Sequence, residues 1–225
     1  MSVEYSAHTA DESVAVAEVS WIDDLPLSEP ADDAFADLTA AVRELQEAFT
    51  RSRPDADTAV DVADRLRAAA ALLRDQEVSE DEQLAGRLWS RAGRGQTMAP
   101  DLVFDEVGED HARGHVIIER FHSGRYALNG GVTPMIFDEI LSRLGNAHGR
   151  RWARTASMTV DYRAPAPLFT PLTVTAELID QVGRKRRLRG AITHGDRLIA
   201  EAHGLWIETR PEHDTRTPTD RGDSR

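Results

Sequence analysis

The residues best suited to chemistry in this 225-residue chain are two adjacent glycines and an aspartate that follows them. Gly130 and Gly131 stand directly before a predicted helix, and Asp138 lies eight residues after Gly130. Glycine lets backbone amides approach a ligand, and a helix N-terminus offers free N–H donors that stabilise an oxyanion. A carboxylate about two helical turns further on could act on a group held there.

The same helix also permits a simpler interpretation. At about 100° per residue its apolar side chains cluster on one side, and Asp138 falls on the other. The clustered residues are Val132, Ile136, Phe137, Ile140, Leu141 and Leu144. An ordinary turn followed by a solvated carboxylate would produce this pattern too, so the spacing alone leaves both interpretations open.

The elements that precede this region are predicted to be helical. Residues 1–30 carry scattered acids without sustained periodicity, which predicts a disordered or loosely docked arm. Apolar spacing predicts helices over 32–51, 58–75 and 80–91. Residues 31–95 are therefore a predicted helical extension, expected to serve packing or oligomerisation, with a lid or a partner-binding role as the alternative.

Residues 96–209 predict a single domain in which strands surround one helix. Turn residues and period-two alternation predict strands over 102–107, 115–119, 155–162, 172–182, 185–193 and 197–209. The helix runs from about 132 to 148, with Pro134 in its first turn. This order is typical of an α+β fold ending in an antiparallel meander. The polar tail 210–225 is predicted to be disordered.

Composition excludes several classes of function. The chain has no cysteine, which removes thiolate nucleophiles and cysteine-bound metal clusters. Its net charge is −12, with 21 acids and 9 bases in residues 1–100, so general nucleic-acid binding is not expected. His111 and His115 have a His-x-x-x-His spacing but do not lie on a predicted helix, and no His-Glu-x-x-His set is present, so a metal site is not expected. No apolar run or leader suggests a membrane or secreted protein, so we expect a cytoplasmic location.

Four stretches together resemble the PaaI-like hot-dog acyl-CoA thioesterases. They are NGGVTPMIFDE at 129–139, SMTVDYRAP at 157–165, GRK at 183–185 and LIAEAHG at 198–204. The resemblance covers about residues 100–209. It implies a hot-dog fold, in which an antiparallel sheet wraps around a central helix, here preceded by the helical extension. It also implies a homodimer or a dimer of dimers, with active sites formed between protomers.

The resemblance implies roles for particular residues. The Gly130 amide, together with Gly131, would polarise a thioester carbonyl, and Asp138 would be the general base or nucleophile. Thr155 matches a position where a hydroxyl from the partner protomer helps to place the water or the carboxylate; the alternative is an ordinary strand threonine. No metal or redox cofactor is implied, and coenzyme A would enter only as part of the substrate.

One position departs from the family. The usual motif is His-Gly-Gly, and Asn129 stands where that histidine would be. Asparagine forms hydrogen bonds but does not titrate near neutral pH. It can therefore replace a histidine that only orients the loop, but not one that transfers a proton. His122 is either a compensating residue or an ordinary surface histidine.

A basic stretch follows the turn at Gly183. Arg184, Lys185 and Arg187 lie where similar proteins hold the phosphates of coenzyme A, and arginine forks suit phosphate geometry. A solvated edge of charged residues is the alternative.

The sequence thus predicts an enzyme that hydrolyses an acyl-CoA or acyl carrier protein thioester. A rival hypothesis is a non-catalytic protein that binds acyl thioesters on the same scaffold, with Asn129 marking lost catalysis. A hydratase or dehydratase is less favoured because no matching histidine motif surrounds His194 or His203.

Overall fold

The computed structural model describes residues 29–210, so the predicted arm before residue 29 and the tail after residue 210 lie outside the described residues. The helical extension contains α1 (Glu29–Arg51) and α2 (Ala56–Arg74). Asp55 caps α2, because its side chain accepts a hydrogen bond from the Thr58 amide at 2.8 Å. No residue of α2 is buried, so its predicted apolar face is exposed to solvent.

The third predicted helix, over 80–91, is wrong. Two short 3-10 turns, Glu80–Glu82 and Ala92–Gly95, flank an irregular segment instead. Gly86 has a φ of 84°, a left-handed conformation that an α-helix cannot contain. Leu88 and Trp89 of this segment are buried, although the backbone there is irregular.

Six antiparallel strands form one sheet, which confirms the predicted α+β fold. Their bounds are β1 Val103–Val107, β2 His111–Ile117, β3 Ala153–Tyr162, β4 Pro171–Val182, β5 Lys185–His194 and β6 Arg197–Glu208. The spatial order is β1-β2-β4-β5-β6-β3, so β3 lies at one edge beside β6. The long helix α3 (Thr133–Asn146) packs against the sheet, as a hot-dog fold requires.

The core lies between α3 and the sheet. The helix contributes the fully buried side chains Ile136, Phe137, Ile140, Leu141 and Leu144. Strand β5 approaches α3 closely at Gly190, where an added Cβ would lie 2.9 Å from Phe137 Cδ1. On β6, the Trp206 indole is buried and donates to Ser142 Oγ at 3.0 Å. These contacts fix the rotation of α3 and hence the direction of its polar side chains.

The extension is attached to this domain by polar contacts as well as apolar ones. Arg43 of α1 forms an ion pair with Asp101 at 2.8 Å. Glu47 Oε2 accepts a hydrogen bond from the Phe121 amide at 2.9 Å. The His122 ring lies 3.1 Å from the Met98 carbonyl oxygen. The loop that leads into α3 is therefore held from the side of the extension.

Candidate active site

Asn129 organises the loop before α3 through both its backbone and its side chain. Its amide donates to the His122 carbonyl at 2.9 Å, and its side-chain Oδ1 accepts from the Gly131 amide at 2.8 Å. Its own carbonyl accepts from the Val132 amide at 2.9 Å. A short polar side chain that bonds the backbone two residues ahead is a common way to fix a turn. Asn129 thus orients the loop without any need to titrate.

Gly130 presents the free donor of this loop. It is exposed, and within residues 29–210 its N–H donates to no protein acceptor. Its carbonyl oxygen accepts a hydrogen bond from the Tyr162 hydroxyl at 2.5 Å, and this contact fixes the orientation of the Gly130–Gly131 peptide group. The Gly131 amide is already bonded to Asn129, so the structure does not offer it as a second donor. The predicted pair of donors is reduced to one.

Asp138 lies on α3 facing strand β3. Thr155 Oγ1 donates to Asp138 Oδ1 at 2.6 Å, a short distance typical of a hydroxyl bound to a carboxylate. The residue is half-buried, because β3 covers the side of the helix that the sequence pattern assigned to solvent. The expected contact between a threonine hydroxyl and the carboxylate is present, but both groups belong to one chain, whereas the resemblance implied a partner's hydroxyl.

Gly130 and Asp138 are anchored at different ends of β3. The Tyr162 contact places Gly130 at the last residue of the strand, whereas Thr155 lies near its start. Seven residues of a strand span about 23 Å. Along α3, the six residues from Val132 to Asp138 rise about 9 Å. A reacting carbonyl has to approach both groups to roughly 3 Å, so a single chain holds the donor and the carboxylate apart.

The sequence analysis missed Glu139, which follows Asp138 directly. Glu139 is 9% exposed, and its Oε2 lies 2.8 Å from Arg94 Nε. Burial raises the pKa of Glu139, the Arg94 and Arg143 cations lower it, and the Asp138 carboxylate raises it. A helical wheel gives the signal that could have found it, because Glu139 and Arg143, four residues apart, both lie beside Ile136 on the apolar side.

The basic stretch after Gly183 is largely paired within the chain. The Arg187 guanidinium lies 2.8 Å from Asp180 Oδ2, and Arg184 donates to the Glu208 carbonyl at 2.8 Å. Lys185 is exposed. Arg186 is fully buried and donates to the Gly145 and Arg151 carbonyls, which makes it a structural residue. These cations lie on β5 and on the turn before it. In the sheet, β6 lies between β5 and β3, so the cations are separated from β3 by one strand.

His122 is a buried residue, so its interpretation as a surface histidine is wrong. It is 9% exposed. Burial lowers the pKa of the imidazole, its hydrogen bond with Met98 and the Glu47 carboxylate raise it, and the Arg43 cation lowers it. The His122 carbonyl accepts a hydrogen bond from the Asn129 amide, and the His122 ring lies 3.1 Å from the Met98 carbonyl oxygen. It therefore supports the loop.

A cavity of about 390 Å³ opens beside the Gly130 loop. Its walls are mainly small and apolar, and Thr133, Tyr162 and Arg163 are the lining residues with polar side chains. The apolar members are Ala127, Leu128, Ala164, Pro165, Ala166, Ile199 and Ala200. We refer to it as the alanine-lined cavity.

Two further classes of site were sought in the described part of the chain. Between residues 29 and 210 no group of three or more His, Cys, Asp or Glu side chains could hold a metal ion. No helix in the same range is long and apolar enough to cross a bilayer.

Part of the chain that includes the Gly130 loop and Asp138 matches a known protein family. Residues 127–200 match the family model of the thioesterase superfamily. A crystal structure of a thioesterase superfamily protein is 26% identical, with a TM-score of 0.69 over 82% of this chain and 94% of that chain. Because residues 96–209 make up about half of the chain, that match includes much of the helical extension. No curated protein matches the chain.

Other solved structures match the sheet and α3 more distantly. Escherichia coli PaaI, from a phenylacetic acid degradation operon, is 18% identical over 48% of this chain and 82% of that one, with a TM-score of 0.45. A Streptococcus mutans protein bound to acetyl-CoA is 14% identical over 48% and 88%, also with a TM-score of 0.45. At the level of the superfamily, the family match and the sheet topology confirm the predicted resemblance to hot-dog thioesterases.

Proposed function

We propose that this chain, a hot-dog protein whose residues 127–200 match the thioesterase superfamily, hydrolyses an acyl thioester to a carboxylic acid and a free thiol. One observation carries the proposal. The free Gly130 amide precedes α3, and the Asp138 carboxylate is held by Thr155 on the adjacent strand. An oxyanion donor and an oriented carboxylate are the two groups that this hydrolysis needs.

The chemistry follows from these two groups. Asp138 takes a proton from a water molecule, whose oxygen attacks the thioester carbonyl carbon. The negative charge that develops on the carbonyl oxygen is met by the Gly130 N–H, which helps most in the transition state. Collapse of the intermediate breaks the C–S bond, and the thiolate recovers the proton from Asp138. If Asp138 attacks the carbonyl carbon directly instead, the C–S bond breaks, a thiolate leaves and an anhydride forms. Water then hydrolyses the anhydride to the carboxylic acid and the Asp138 carboxylate, and the proton released goes to the thiolate.

The separation of the two groups within one chain supports a site shared between two protomers. Strand β3 is an edge strand, and a second copy can extend the sheet by pairing antiparallel with it. A two-fold axis near the middle of β3 would bring the Tyr162 end of one protomer beside the Thr155 end of its partner. The Gly130 amide of one chain would then face the Asp138 carboxylate of the other.

The substrate would lie across this junction, with its acyl group in the alanine-lined cavity. That cavity adjoins the Gly130 loop and is mainly apolar, as an acyl chain requires. Coenzyme A is the proposed carrier, and Lys185, with Arg184 and Arg187, is the proposed contact for its phosphates. Because Arg187 is paired with Asp180, phosphate binding there would have to replace that contact. An acyl carrier protein is the alternative carrier.

Thiol release from a panel of aryl-, short- and long-chain acyl-CoAs tests the activity. The chain contains no cysteine, so the protein adds no background to a thiol assay. We expect wild type to hydrolyse at least one member and Asp138→Ala to abolish turnover while the fold persists by circular dichroism. Full activity of Asp138→Ala would refute the assignment.

Complementation tests the shared site. Gly130→Pro removes the N–H. Gly130→Ala keeps it, and its Cβ would meet Tyr162 at an ordinary 3.8 Å, so this variant should stay active. Refolding an equal mixture of the inactive Gly130→Pro and Asp138→Ala chains should restore about a quarter of wild-type activity, since half of the dimers are mixed and each carries one intact site. Sites contained within one chain would restore none.

A second candidate function is acyl-thioester binding without turnover. Asn129 favours it, because its side chain is committed to the loop and supplies no titrating group. This protein would bind acyl-CoA in a calorimeter without releasing thiol. Activity that appears only in Asn129→His would establish this alternative.

A further inference from the structure

The Gly93-Arg94-Gly95 turn of the extension has an unusual backbone. All three residues have positive φ values, of 64°, 55° and 69°. A Cβ at Gly93 would overlap Asp101 Oδ1, and one at Gly95 would lie 2.9 Å from Leu88 Cδ1, so both positions require glycine. Arg94 adopts a left-handed conformation that is unfavourable for a residue with a Cβ. Arg94 is the one residue of this turn that carries a side chain in this conformation, and four other non-glycine residues of the described chain, Arg125, Tyr126, His148 and Phe169, also have positive φ. Strain of this kind is often found at functional sites.

The turn directs Arg94 out of the extension and onto α3. Its Nε lies 2.8 Å from Glu139 Oε2, and its guanidinium stacks over the Trp89 ring at 4.6 Å. Trp89 is 6% exposed, and the Arg143 guanidinium also lies over its ring, 4.9 Å from the ring centre. The extension therefore provides both a cation and an aromatic platform at the helix that carries Asp138.

Few charged groups act on the Glu139 carboxylate among the described residues. Arg94 comes from the turn, whereas Arg143, 3.8 Å away, and Asp138 come from α3 itself. The strands packed against the helix contribute no charged group to this set. Arg94 is thus the closest counter-charge of a buried carboxylate whose neighbour in the chain is the proposed general base.

We propose that Arg94 is a positioning residue, through which the extension neutralises Glu139 and so fixes the orientation and the charge environment of Asp138. This inference rests on the proposed function, because it assigns the extension a role at the same carboxylate. An unpaired buried charge is costly, so loss of Arg94 makes the first turns of α3 shift or makes Glu139 take up a proton, which changes its contacts on the helix. Either change reaches the reacting group.

The charge balance gives this role a distinctive signature. Arg94→Gln leaves the buried Glu139 with the weaker Arg143 contact, 3.8 Å away. We expect kcat to fall about tenfold and KM to change less than about twofold, because the reacting group is displaced and the substrate contacts are not. The double variant Arg94→Gln with Glu139→Gln leaves no buried charge unpaired, so kcat should return to within about threefold of wild type.

The experiment compares full-length wild type, Arg94→Gln, Arg94→Lys, the double variant and Arg91→Gln. Arg91→Gln is the matched control, since it breaks a different ion pair of the extension, with Asp32, whose Nε–Oδ1 distance is 3.0 Å. We expect Arg94→Lys and Arg91→Gln to keep the wild-type kcat within about twofold. Urea unfolding of each variant separates lost activity from lost folded protein. An unchanged kcat in Arg94→Gln, or a kcat in the double variant as low as in Arg94→Gln, overturns the proposal.

A second readout needs no substrate. The side-chain carboxyl carbon of Glu139, identified by its absence in Glu139→Gln, is followed by NMR against pH. Because the Arg94 cation lowers the pKa of Glu139, we expect its titration to move to higher pH in Arg94→Gln and to keep its wild-type position in Arg91→Gln. If wild type hydrolyses nothing, the proposed function fails while this titration still decides whether Arg94 neutralises Glu139. If Asp138→Ala abolishes turnover and Arg94→Gln changes neither readout, the inference alone fails.

Discussion

Asn129 stands where the resembling family has a histidine, and its side chain stabilises the turn without titrating. Its Oδ1 accepts from the Gly131 amide, and its backbone bonds both His122 and Val132. The loop geometry therefore depends on an acceptor at this position and not on a proton donor. In the proposed mechanism the proton moves between water, Asp138 and the leaving thiolate, and Asn129 takes no part in that transfer.

Variants of Asn129 test this division of roles. Aspartate keeps the acceptor, so Asn129→Asp should retain kcat/KM within about threefold, whereas Asn129→Ala should lower it about tenfold by freeing the loop. Steady-state thiol release with the best acyl-CoA of the panel measures both. A fall in Asn129→Asp as deep as in Asn129→Ala would show that the amide nitrogen of Asn129 is needed as well.

Thr155 holds the carboxylate of Asp138 at a strand edge. A hydrogen bond to a charged group contributes about 1.5–3 kcal/mol, so Thr155→Val should reduce kcat/KM by roughly 10–100-fold. Thr155→Ser keeps the hydroxyl and serves as the control, with an expected loss of at most a few fold. Equal activity of the valine and serine variants would mean that the 2.6 Å contact has no part in the reaction.

At the scale of elements, the helix α3 and the strands of the sheet follow patterns that are local in the sequence. Period-two alternation predicted β3, and the glycine turn followed by Pro134 predicted α3, each to within a few residues. The burial of Asp138 could not be predicted, because it depends on the position of β3 across the helix. The sequence analysis missed Glu139 for the same reason, because its partner Arg94 comes from another region of the chain. Contacts between distant parts of the sequence determine the burial of Asp138 and the pairing of Glu139.

Gly190 fixes the distance between α3 and β5. An added methyl group would press against the Phe137 ring at 2.9 Å, and overpacking of a core costs about 1–3 kcal/mol. Gly190→Ala should therefore lower the free energy of unfolding by that amount in urea. Ala191→Ser, on the opposite face of the same strand, should change it by less than about 0.5 kcal/mol. Similar values for the two variants would contradict this account of the helix packing.

At the scale of the whole molecule, the extension and the hot-dog domain share a continuous interface. α1 reaches the loop before α3 through Glu47, which accepts a hydrogen bond from the Phe121 amide, and the Gly-Arg-Gly turn reaches α3 through Arg94. The sequence predicted helices in the extension but not this interface, because apolar spacing predicted a helix over 80–91 where the structure has the irregular segment that forms the contact. The 26%-identical structure matches over 82% of the chain, so the combination occurs in at least one other protein.

Acid should weaken this interface through His122. Burial lowers the imidazole pKa in the folded state, so the stability it contributes is present above the unfolded-state value near 6.5 and is lost as pH falls. We expect the free energy of unfolding to decrease between pH 7.5 and 5.5, and the decrease to be smaller in His122→Gln. Urea titrations at both pH values measure it. An unchanged pH dependence in His122→Gln would assign the acid sensitivity to other groups.

Helix α2 has no buried residue, and this determines how its backbone amides exchange with heavy water. An isolated helix of 19 residues is only marginally stable, because tertiary packing supplies most helical stability in proteins. The α2 amides should therefore become deuterated through frequent local opening, with protection close to that of a free peptide. Those of α3, sealed between the sheet and the extension, should exchange only when the entire domain unfolds. A deuterium pulse would thus label one helix of the chain long before the other.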